Sequence, residues 1–371
     1  MSKLAGLTVV DLTQFLPGPM LSVMLADHGA RVIKIEPPGG DPVRGQGPFE
    51  NGQSVWFANL NRGKHSRALD LKSAAGKAEL TALIAEADVF LEGFRPGVMA
   101  RLGFDYDAVR AINPRVVYCS ISAFGQHGAL AQHPAHDLAV QALAGFLSVN
   151  DGPGGTPVVP GAASADMAAG LTALSGVLMA LLARERTGLG DYLDIAMFDS
   201  LLPWCVHTAS AAIAGGAAPR SASQRSLGGA AFSQVYQTSD GQHVVLGGRE
   251  LKFAQNLLTA LGRTDLIPHA AREAGDQDEL IAYLRETFAQ RSRAEWTAWM
   301  QDVDVAFAPV LTFREAFDQR HLAERGLIVS ADGHHHIAPP IRFASDPPWH
   351  PGPVPALNGD YDNPGGDPGG R

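Results

Sequence analysis

Short apolar runs alternate with amphipathic segments along the first 125 residues of the chain. The apolar runs predict buried strands at residues 7–12, 31–36, 89–91 and 116–121. The amphipathic segments predict helices at residues 20–28, 74–87 and 106–112, with a loop over residues 37–67. Because strands that alternate with helices pair in parallel, we predict an α/β fold with a Rossmann-like parallel-sheet large domain.

The longest apolar segment, residues 162–188, is predicted to form a single helix with one carboxylate near its start. Ser164 is the expected N-cap, Asp166 stands in the first turn, and Gly188 ends the helix. The Gly, Ser and Thr content of the segment favours a buried core helix over a membrane span. An acid at a helix start is most often only a dipole partner, worth about 0.3–1 kcal/mol, so a chemical role for Asp166 requires support from other residues.

A second, smaller domain is predicted beyond a strand at residues 192–195. Residues 211–228 are small, polar and Gly-rich, as in a linker. A hairpin over residues 235–246 follows, and then helices at residues 251–261, 277–290 and 293–300. The expected divisions are a large domain (1–210), a linker (211–225), a small α+β domain (226–310), and a segment (311–371) that returns to the large domain and is poorly ordered from Gly352.

The composition narrows the range of partners. The chain has 371 residues, of which 46% are hydrophobic and 18% charged, as in globular proteins. Its net charge of −9, without a basic cluster, argues against nucleic acid as a partner. Cys119 and Cys205 are too few for a disulfide framework or a zinc site, which favours a cytoplasmic location. The N-terminal residues lead directly into the first strand, so we expect neither a signal peptide nor a membrane partner.

The loop after the first strand, residues 14–19, lacks the G-x-G-x-x-G pattern, which argues against a dinucleotide site. Three cations near predicted strand ends, Lys64, Arg95 and Arg101, suit a phosphate-bearing ligand, since ligands of open α/β sheets bind at that edge. Solvated surface charge is the alternative. We interpret residues 334–336, three adjacent histidines, as a surface loop whose rings point in different directions, and we expect no metal site.

Three candidates for catalysis stand at or just before predicted helices: His136, Asp166 and Glu250. An imidazole and a carboxylate can exchange a proton, because their surroundings can bring their pKa values together. Free N–H groups at helix starts would stabilise an enolate oxygen beside them. Helix capping explains each residue equally well, and the spacing along the chain does not show that the three meet.

These residues stand among motifs that together resemble family III CoA-transferases, the CaiB/BaiF superfamily, which also contains α-methylacyl-CoA racemase. The motifs extend in order from Leu4 to about Pro340. They are Gly18-Pro19, residues 29–37 (GARVIKIEP), 61–64 (NRGK), 68–72 (ALDLK) and 113–115 (NPR), the helix that carries Asp166, residues 186–190 (RTGLG) and 236–241 (YQTSDG), and Pro309-Val310.

The resemblance implies two domains, an interlocked homodimer, and an acyl-CoA substrate bound at the large domain, with no cofactor beyond CoA itself. An adenine-stacking arginine that is common in the family would fall at Pro37. The CoA contacts of the family fall at Leu69, Asp70, Leu71, Lys72, Gly93, Phe94, Arg95, Pro96, Gly97, Arg101, Ala135, Asp137 and Leu138.

Within the resemblance, Asp166 has two alternative roles. In a transferase the aspartate is the nucleophile, and it forms a mixed anhydride and then an aspartyl-CoA thioester. In a racemase the aspartate and His136 exchange the α-proton on opposite faces of the substrate, and Glu250 assists.

The positions that distinguish the two chemistries point in both directions. His136-Asp137, Glu250 and residues 227–232 resemble racemases, whereas residues 140–145 resemble transferases. Leu16 replaces a glutamine of the oxalate- and formate-handling transferases, which disfavours that substrate pair. We therefore expect a racemase or epimerase of a 2-methylacyl-CoA, with an acyl-CoA:carboxylate CoA-transferase as the alternative and a catalytically idle CoA-binding protein as a third hypothesis.

Overall fold

The elements of the computed structural model, which describes residues 2–359, follow the predicted alternation closely in the first third of the chain. The strands are β1 (Thr8–Asp11), β2 (Arg31–Glu36), β3 (Phe49–Glu50), β4 (Gln53–Ser54), β5 (His65–Ala68), β6 (Val89–Glu92), β7 (Val117–Ser122), β8 (Tyr192–Ala196), β9 (Gln234–Gln237), β10 (His243–Leu246), β11 (Phe307–Pro309), β12 (Ile328–Ala331) and β13 (His334–Ile337). The helices are α1 (Pro17–Asp27), α2 (Val55–Asn61), α3 (Ala74–Glu86), α4 (Val98–Leu102), α5 (Tyr106–Ile112), α6 (Asp137–Leu143), α7 (Ser164–Thr187), α8 (Met197–Leu201), α9 (Val206–Ile213), α10 (Leu251–Ala260), α11 (Ile267–Ala270), α12 (Asp278–Phe288), α13 (Arg293–Trp299), α14 (Phe313–Phe317) and α15 (Arg320–Arg325).

The described residues form two units. The first contains the described residues up to 144, residues 162–204 and the described residues from 320 onward. The second contains residues 145–161 and 205–319. Residues 145–161 therefore group with the second unit, although our predicted boundaries had placed them in the large domain.

The centre of the first unit is a six-stranded sheet with the order β5-β2-β1-β6-β7-β8. All five strand pairs are parallel. This confirms the predicted Rossmann-like α/β class. The strand order reverses between β1 and β6, and the crevice at the carboxyl ends of two such strands is where open α/β sheets bind ligands.

The predicted loop over residues 37–67 is wrong, because this segment contains a helix and an edge strand. Helix α2 begins after Ser54, whose side chain accepts a hydrogen bond from the backbone N–H of Phe57 (3.2 Å). Strand β5 pairs with β2 at the edge of the central sheet. Its sequence, HSRA, has no apolar run, because an edge strand needs less burial than a central one.

Helix α7 confirms the predicted long apolar helix, and it packs on α1, α6, α8, β7 and β8. A Cβ on Gly170 would lie 2.9 Å from the carbonyl oxygen of Pro17, so glycine allows the close approach of α1. The predicted N-cap Ser164 is wrong, since Ala163 occupies that position and no side chain of the capping residue bonds to the helix. By length and composition α7 could span a membrane, but half of its most apolar window is buried within the molecule.

Charged side chains are buried beneath the loop that follows β1. The carboxylate of Asp11 is fully buried and lies 3.3 Å from the ammonium of Lys64, while that of Asp41 lies 2.8 Å from Lys34. Burial opposes ionisation of Asp11, but the charges of Lys64 and Lys34 and the hydroxyl of Ser22 outweigh it and hold the pKa of Asp11 below its usual value. Both predicted roles of Lys64, phosphate contact and solvated charge, are therefore wrong.

The second unit contains an antiparallel sheet with the order β11-β10-β9, packed on an aromatic core. In that core the indole N–H of Trp296 donates to the carbonyl of Phe288 (2.9 Å), and the hydroxyl of Tyr236 donates to that of Ala231 (2.7 Å). The predicted hairpin is confirmed. Residues 307–309 form β11, the third strand of this sheet.

The start of the C-terminal tail is ordered, contrary to our expectation from Gly352 onward. The backbone N–H of Gly63 donates to the carbonyl of Pro353 (2.8 Å), and the N–H of Ala68 donates to the side chain of Asn358 (2.7 Å). The part of the predicted tail beyond residue 359 lies outside the described residues.

We expect Asp11→Asn to lower the free energy of unfolding by about 3–5 kcal/mol, because it leaves the buried ammonium groups of Lys34 and Lys64 with too little compensating charge. Chemical denaturation followed by tryptophan fluorescence measures the change. Glu324→Gln, which breaks an exposed pair with Arg320, is the control and is expected to change the value by less than about 1 kcal/mol. Equal effects of the two substitutions would contradict this account.

Candidate functional site

A cavity of about 250 Å³, here named the switch-point cavity, opens between the carboxyl ends of β1 and β6. The loops after these two strands, together with the first two residues of α1, supply half of its lining. The lining residues are Thr13, Gln14, Phe15, Pro17, Gly18, Gly93, Phe94, Arg95, Pro96, Ile121, Ser122, Ala123, Ala131, His133, Ala135, His136, Asp166 and Met197. The fold thus brings His136 and Asp166, thirty residues apart in the chain, to one cavity at the expected edge of the sheet.

The loop after β1 is held in an unusual conformation. The carboxylate of Asp11 accepts a hydrogen bond from the N–H of Thr13 (2.9 Å), and the ammonium of Lys34 donates to the carbonyl of Thr13 (2.9 Å). Phe15 has φ of 64°, which is uncommon for a residue with a side chain and is typical of functional sites. A Cβ on Gly18 would lie 2.2 Å from Cβ of Thr13, so the turn into α1 requires glycine.

Asp166 is a partly buried carboxylate in the first turn of α7. Burial raises its pKa to about 7, and the negative charge of Asp137 contributes in the same direction. A carboxyl group with this pKa is present in both protonation states at neutral pH. Such a group can act as either acid or base in proton transfer.

Asp137 takes the place of an N-cap for α7. One carboxylate oxygen accepts hydrogen bonds from the N–H groups of Ala165 (2.8 Å) and Asp166 (3.1 Å), and the other accepts from the amide of Gln141. The N–H groups of Ser164 and Met167 donate to carbonyls nearby. The first four amides of α7 therefore all have acceptors, and they are not available to an enolate as we had expected.

His136 is the exposed N-cap residue of α6, and its side chain does not cap the helix. Its ring meets that of Phe15 edge to face, with the centroids 6.4 Å apart. Sequence reasoning missed four polar neighbours in the same cavity, Thr13, Gln14, Ser122 and His133. The position of Gln14 directly after a strand of the predicted parallel sheet was a signal that could have identified it. Leu16, on which our argument about a glutamine depended, is not among the lining residues.

A second cavity, of about 410 Å³ and here named the apolar cavity, shares Gln14 and Phe94 with the switch-point cavity. It lies at the carboxyl ends of β1, β2 and β5. Its other lining residues are Leu12, Ile35, Glu36, Pro37, Pro38, Leu69, Asp70, Leu71, Lys72, Val98 and Leu102. Four residues predicted to contact CoA, those at positions 69–72, therefore stand together with Phe94 in a single cavity that adjoins the one lined by Asp166.

The remaining predicted CoA contacts are dispersed. Ala135 lines the switch-point cavity, whereas Gly97 lines a third cavity of about 420 Å³ together with Arg95 and Pro96. Arg101 lies beside Gly97, since a Cβ built on Gly97 would be 3.3 Å from the guanidinium of Arg101. Leu138 is exposed on α6.

Glu250 belongs to the second unit, where it is the exposed N-cap residue of α10. Its side chain makes no capping hydrogen bond. A small recess of that unit is lined by Glu250 together with Arg225, Arg249 and Gln277.

Comparison with known proteins was made on sequence and on fold. The family model CoA-transferase family III matches residues 4–361. The chain is 37% identical to acetyl-CoA:oxalate CoA-transferase of Acetobacter aceti, over 94% of this chain and 91% of that protein. It is 34% identical to the human alpha-methylacyl-CoA racemase, over 89% of this chain and 83% of that protein. A crystal structure of a CAIB/BAIF family protein from Brucella suis matches with a TM-score of 0.83 and 32% identity, over 93% of each chain.

Asp166→Asn is expected to stabilise the protein at neutral and alkaline pH. A solvated aspartate has a pKa of 3.8, whereas this carboxyl group has a pKa of about 7 in the folded protein, so folding opposes its ionisation. Wild-type stability relative to the variant should therefore fall as the pH rises from about 4 to about 7, and stay level above that.

Denaturant unfolding of both proteins between pH 5 and pH 8 measures this difference. Asp199→Asn removes an exposed acid from the first turn of α8 and serves as the control, for which no such gain is expected. A variant of Asp166 that is less stable than the wild type at pH 8 would overturn the assignment.

Proposed function

The chain belongs to CoA-transferase family III, and we propose that it racemises or epimerises a 2-methylacyl-CoA by exchange of the α-proton. The observation that carries the proposal is that His136 and Asp166 line one cavity, where burial brings the pKa of Asp166 to about 7. A carboxyl group with this pKa and an imidazole can each give or take a proton near neutral pH without a large energetic barrier.

The proposed step uses the acidity that a thioester gives to its α-hydrogen. The Asp166 carboxylate removes the proton from one face of the α-carbon, and the C–H electrons move into the thioester to form an enolate. His136, protonated at that moment, returns a proton to the opposite face. Asp166 ends protonated and His136 neutral, so the same pair is ready for the reverse reaction. Glu250, an exposed carboxylate at the start of α10, is the proposed assisting residue.

The CoA portion is assigned to the apolar cavity, with the acyl group in the switch-point cavity. The apolar walls, such as Leu69 and Leu71, suit an adenine ring, and Lys72 at the rim suits a phosphate. Pro37 also lines this cavity, so packing against the ring replaces the arginine stacking expected from the family. No further cofactor enters the proposal, and the two free cysteines suit the reducing cytoplasm as its location.

CoA transfer to a carboxylic acid is the second candidate, and two observations favour it. The relative from Acetobacter aceti is an acetyl-CoA:oxalate CoA-transferase, and it aligns with almost the whole chain. Gln14 places a side-chain amide in the switch-point cavity, where it could hold the carboxylate of an acceptor. Asp166 would then attack the thioester carbonyl, expel CoA thiolate and form a mixed anhydride.

Incubation of the enzyme with an (R)- or (S)-2-methylacyl-CoA in D₂O tests the racemase. We expect deuterium at the α-carbon and loss of optical purity, because the residue that donates to the opposite face carries a proton that has exchanged with D₂O. Mass spectrometry measures the label, and chiral chromatography of the hydrolysed acid measures the configuration.

Asp166→Asn and His136→Gln should each abolish racemisation, since each removes one of the two proton carriers. Wild-type protein that incorporates no deuterium would reject the racemase for this substrate class. The transferase predicts a different pattern, in which His136→Gln keeps most activity, Asp166→Asn keeps none, and hydroxylamine converts Asp166 of acyl-CoA-treated enzyme to a hydroxamate.

We also propose that two copies pair as an interlocked homodimer, in line with the resemblance. Support comes from one face of α7, on which four apolar side chains are exposed: Leu171, Leu178, Met179 and Leu182. Contiguous exposed apolar side chains on one helix are typical of protein interfaces. A second copy of this chain is the occupant we propose for this face.

The double substitution Met179→Glu with Leu182→Glu should convert the dimer to monomer, because it would bury two unpaired carboxylates at the interface. Light scattering after size-exclusion chromatography measures the mass. Arg186→Ala, at an exposed polar position of the same helix, is expected to leave the dimer intact. A wild-type protein that is monomeric at micromolar concentration would refute the pairing.

A further inference from the structure

A cavity of about 180 Å³, here named the hairpin cavity, lies between the β12–β13 hairpin, β4 and residues 351–354. Three polar residues of the hairpin line it, Asp332, His334 and His336, and Gln53 of β4 faces them. All of these residues belong to the first unit, and none of them lines the switch-point cavity. The proposed function therefore makes no use of this cavity.

The histidine tract is a strand, so our interpretation of it as a surface loop was wrong. Residues two apart in a strand project to the same side, and the rings of His334 and His336 lie with their centroids 6.4 Å apart. His335 projects to the opposite side, where its backbone N–H and its ring both bond to the carboxylate of Glu50 (2.8 and 2.5 Å).

Three polar atoms around the hairpin cavity lack partners. They are Oε1 of Gln53, Nδ1 of His334 and Nδ1 of His336, each buried and without a hydrogen bond to any of residues 2–359. His336 as a whole is only 3% exposed. A buried polar group left without a partner costs about 1–3 kcal/mol, so three such atoms around one cavity indicate a shared ligand.

The walls of the cavity are fixed by hydrogen bonds outside it. The side chain of Asn59 donates to the carbonyl of His335 (3.0 Å) and accepts from the N–H of Ile337 (2.8 Å), which attaches β13 to α2. The side chain of Asn51 donates to the carbonyl of Gly333 at the hairpin turn (2.6 Å). These hydrogen bonds hold the backbone of the hairpin in place, so the candidate ligands on it are positioned before an ion binds.

We propose that His334 and His336 bind one divalent transition-metal ion of the imidazole-preferring class, such as Zn²⁺. Ring nitrogens of histidine are common ligands of Zn²⁺, Ni²⁺ and Cu²⁺, and the amide oxygen of Gln53 supplies a third donor. Asp332 adds a negative charge at the rim of the cavity. Within residues 2–359 no three His, Cys, Asp or Glu side chains form a metal-binding group, so solvent completes the coordination.

Titration of the tag-free, full-length protein with Zn²⁺ by calorimetry tests the site. We expect one equivalent to bind, with His334→Gln and His336→Gln each weakening the affinity by at least about tenfold. His335→Gln is the matched control from the same tract, and its affinity should equal that of the wild type because its ring faces Glu50. Circular dichroism checks that each variant is folded. His334 is only partly buried, so its variant keeps the test valid if His336→Gln does not fold.

Electron paramagnetic resonance of the Cu²⁺-loaded protein gives an independent measure of the ligand set. The spectra should show two coupled nitrogens in the wild type and in His335→Gln, and one in each of the other two variants. Absence of binding to the wild type would overturn the proposal. So would an equal loss of affinity in all three variants, which would indicate loose attraction to an exposed histidine tract.

Discussion

Two adjoining buried ion pairs, Asp11 with Lys64 and Asp41 with Lys34, constrain the first unit. Burying two carboxylates and two ammonium groups is costly, so the loop after β1 must adopt a conformation that satisfies them. Thr13 is bonded at both its N–H and its carbonyl, and the chain then passes through the positive φ of Phe15. Charged side chains that do not line the switch-point cavity thereby shape its wall.

The position of Asp137 shows how one carboxylate can raise the pKa of another. The amides at the start of a helix lower the pKa of a nearby acid when they are free to interact with it. Two of the first four amides of α7 donate to Asp137, whose negative charge adds to the larger effect of burial on the pKa of Asp166. The resulting pKa of about 7 suits proton transfer, and it also means that ionised Asp166 reduces the stability of the fold. A catalytic advantage and a loss of stability would then both come mainly from the burial of Asp166.

Membership of the family does not decide between proton exchange and acyl transfer, because a CoA-transferase and a racemase both align with most of the chain. Under our proposal, the polar groups around Asp166 bear on the choice. His136 is a candidate second proton carrier, which favours racemisation, whereas Gln14 is a candidate ligand of an acceptor carboxylate, which favours transfer. Both residues line the switch-point cavity. In our proposal the choice depends on whether His136 meets the α-carbon of the bound thioester or Gln14 holds an acceptor carboxylate, a matter of side-chain placement and not of fold.

The alternation of strands and helices, the long apolar helix α7 and most element boundaries could be predicted from the sequence, because the periodicity of apolar residues within a segment reflects which of its faces is buried. The sequence also identified His136 and Asp166 as candidates. Four features became visible only in the folded chain: β5 completes the sheet, Lys64 is a buried ion-pair partner, Asp137 caps α7 from a distance, and His334 and His336 face one cavity. Each of these depends on contacts between residues far apart in the chain. Local patterns carry no information on such partners, since packing alone sets which distant groups meet.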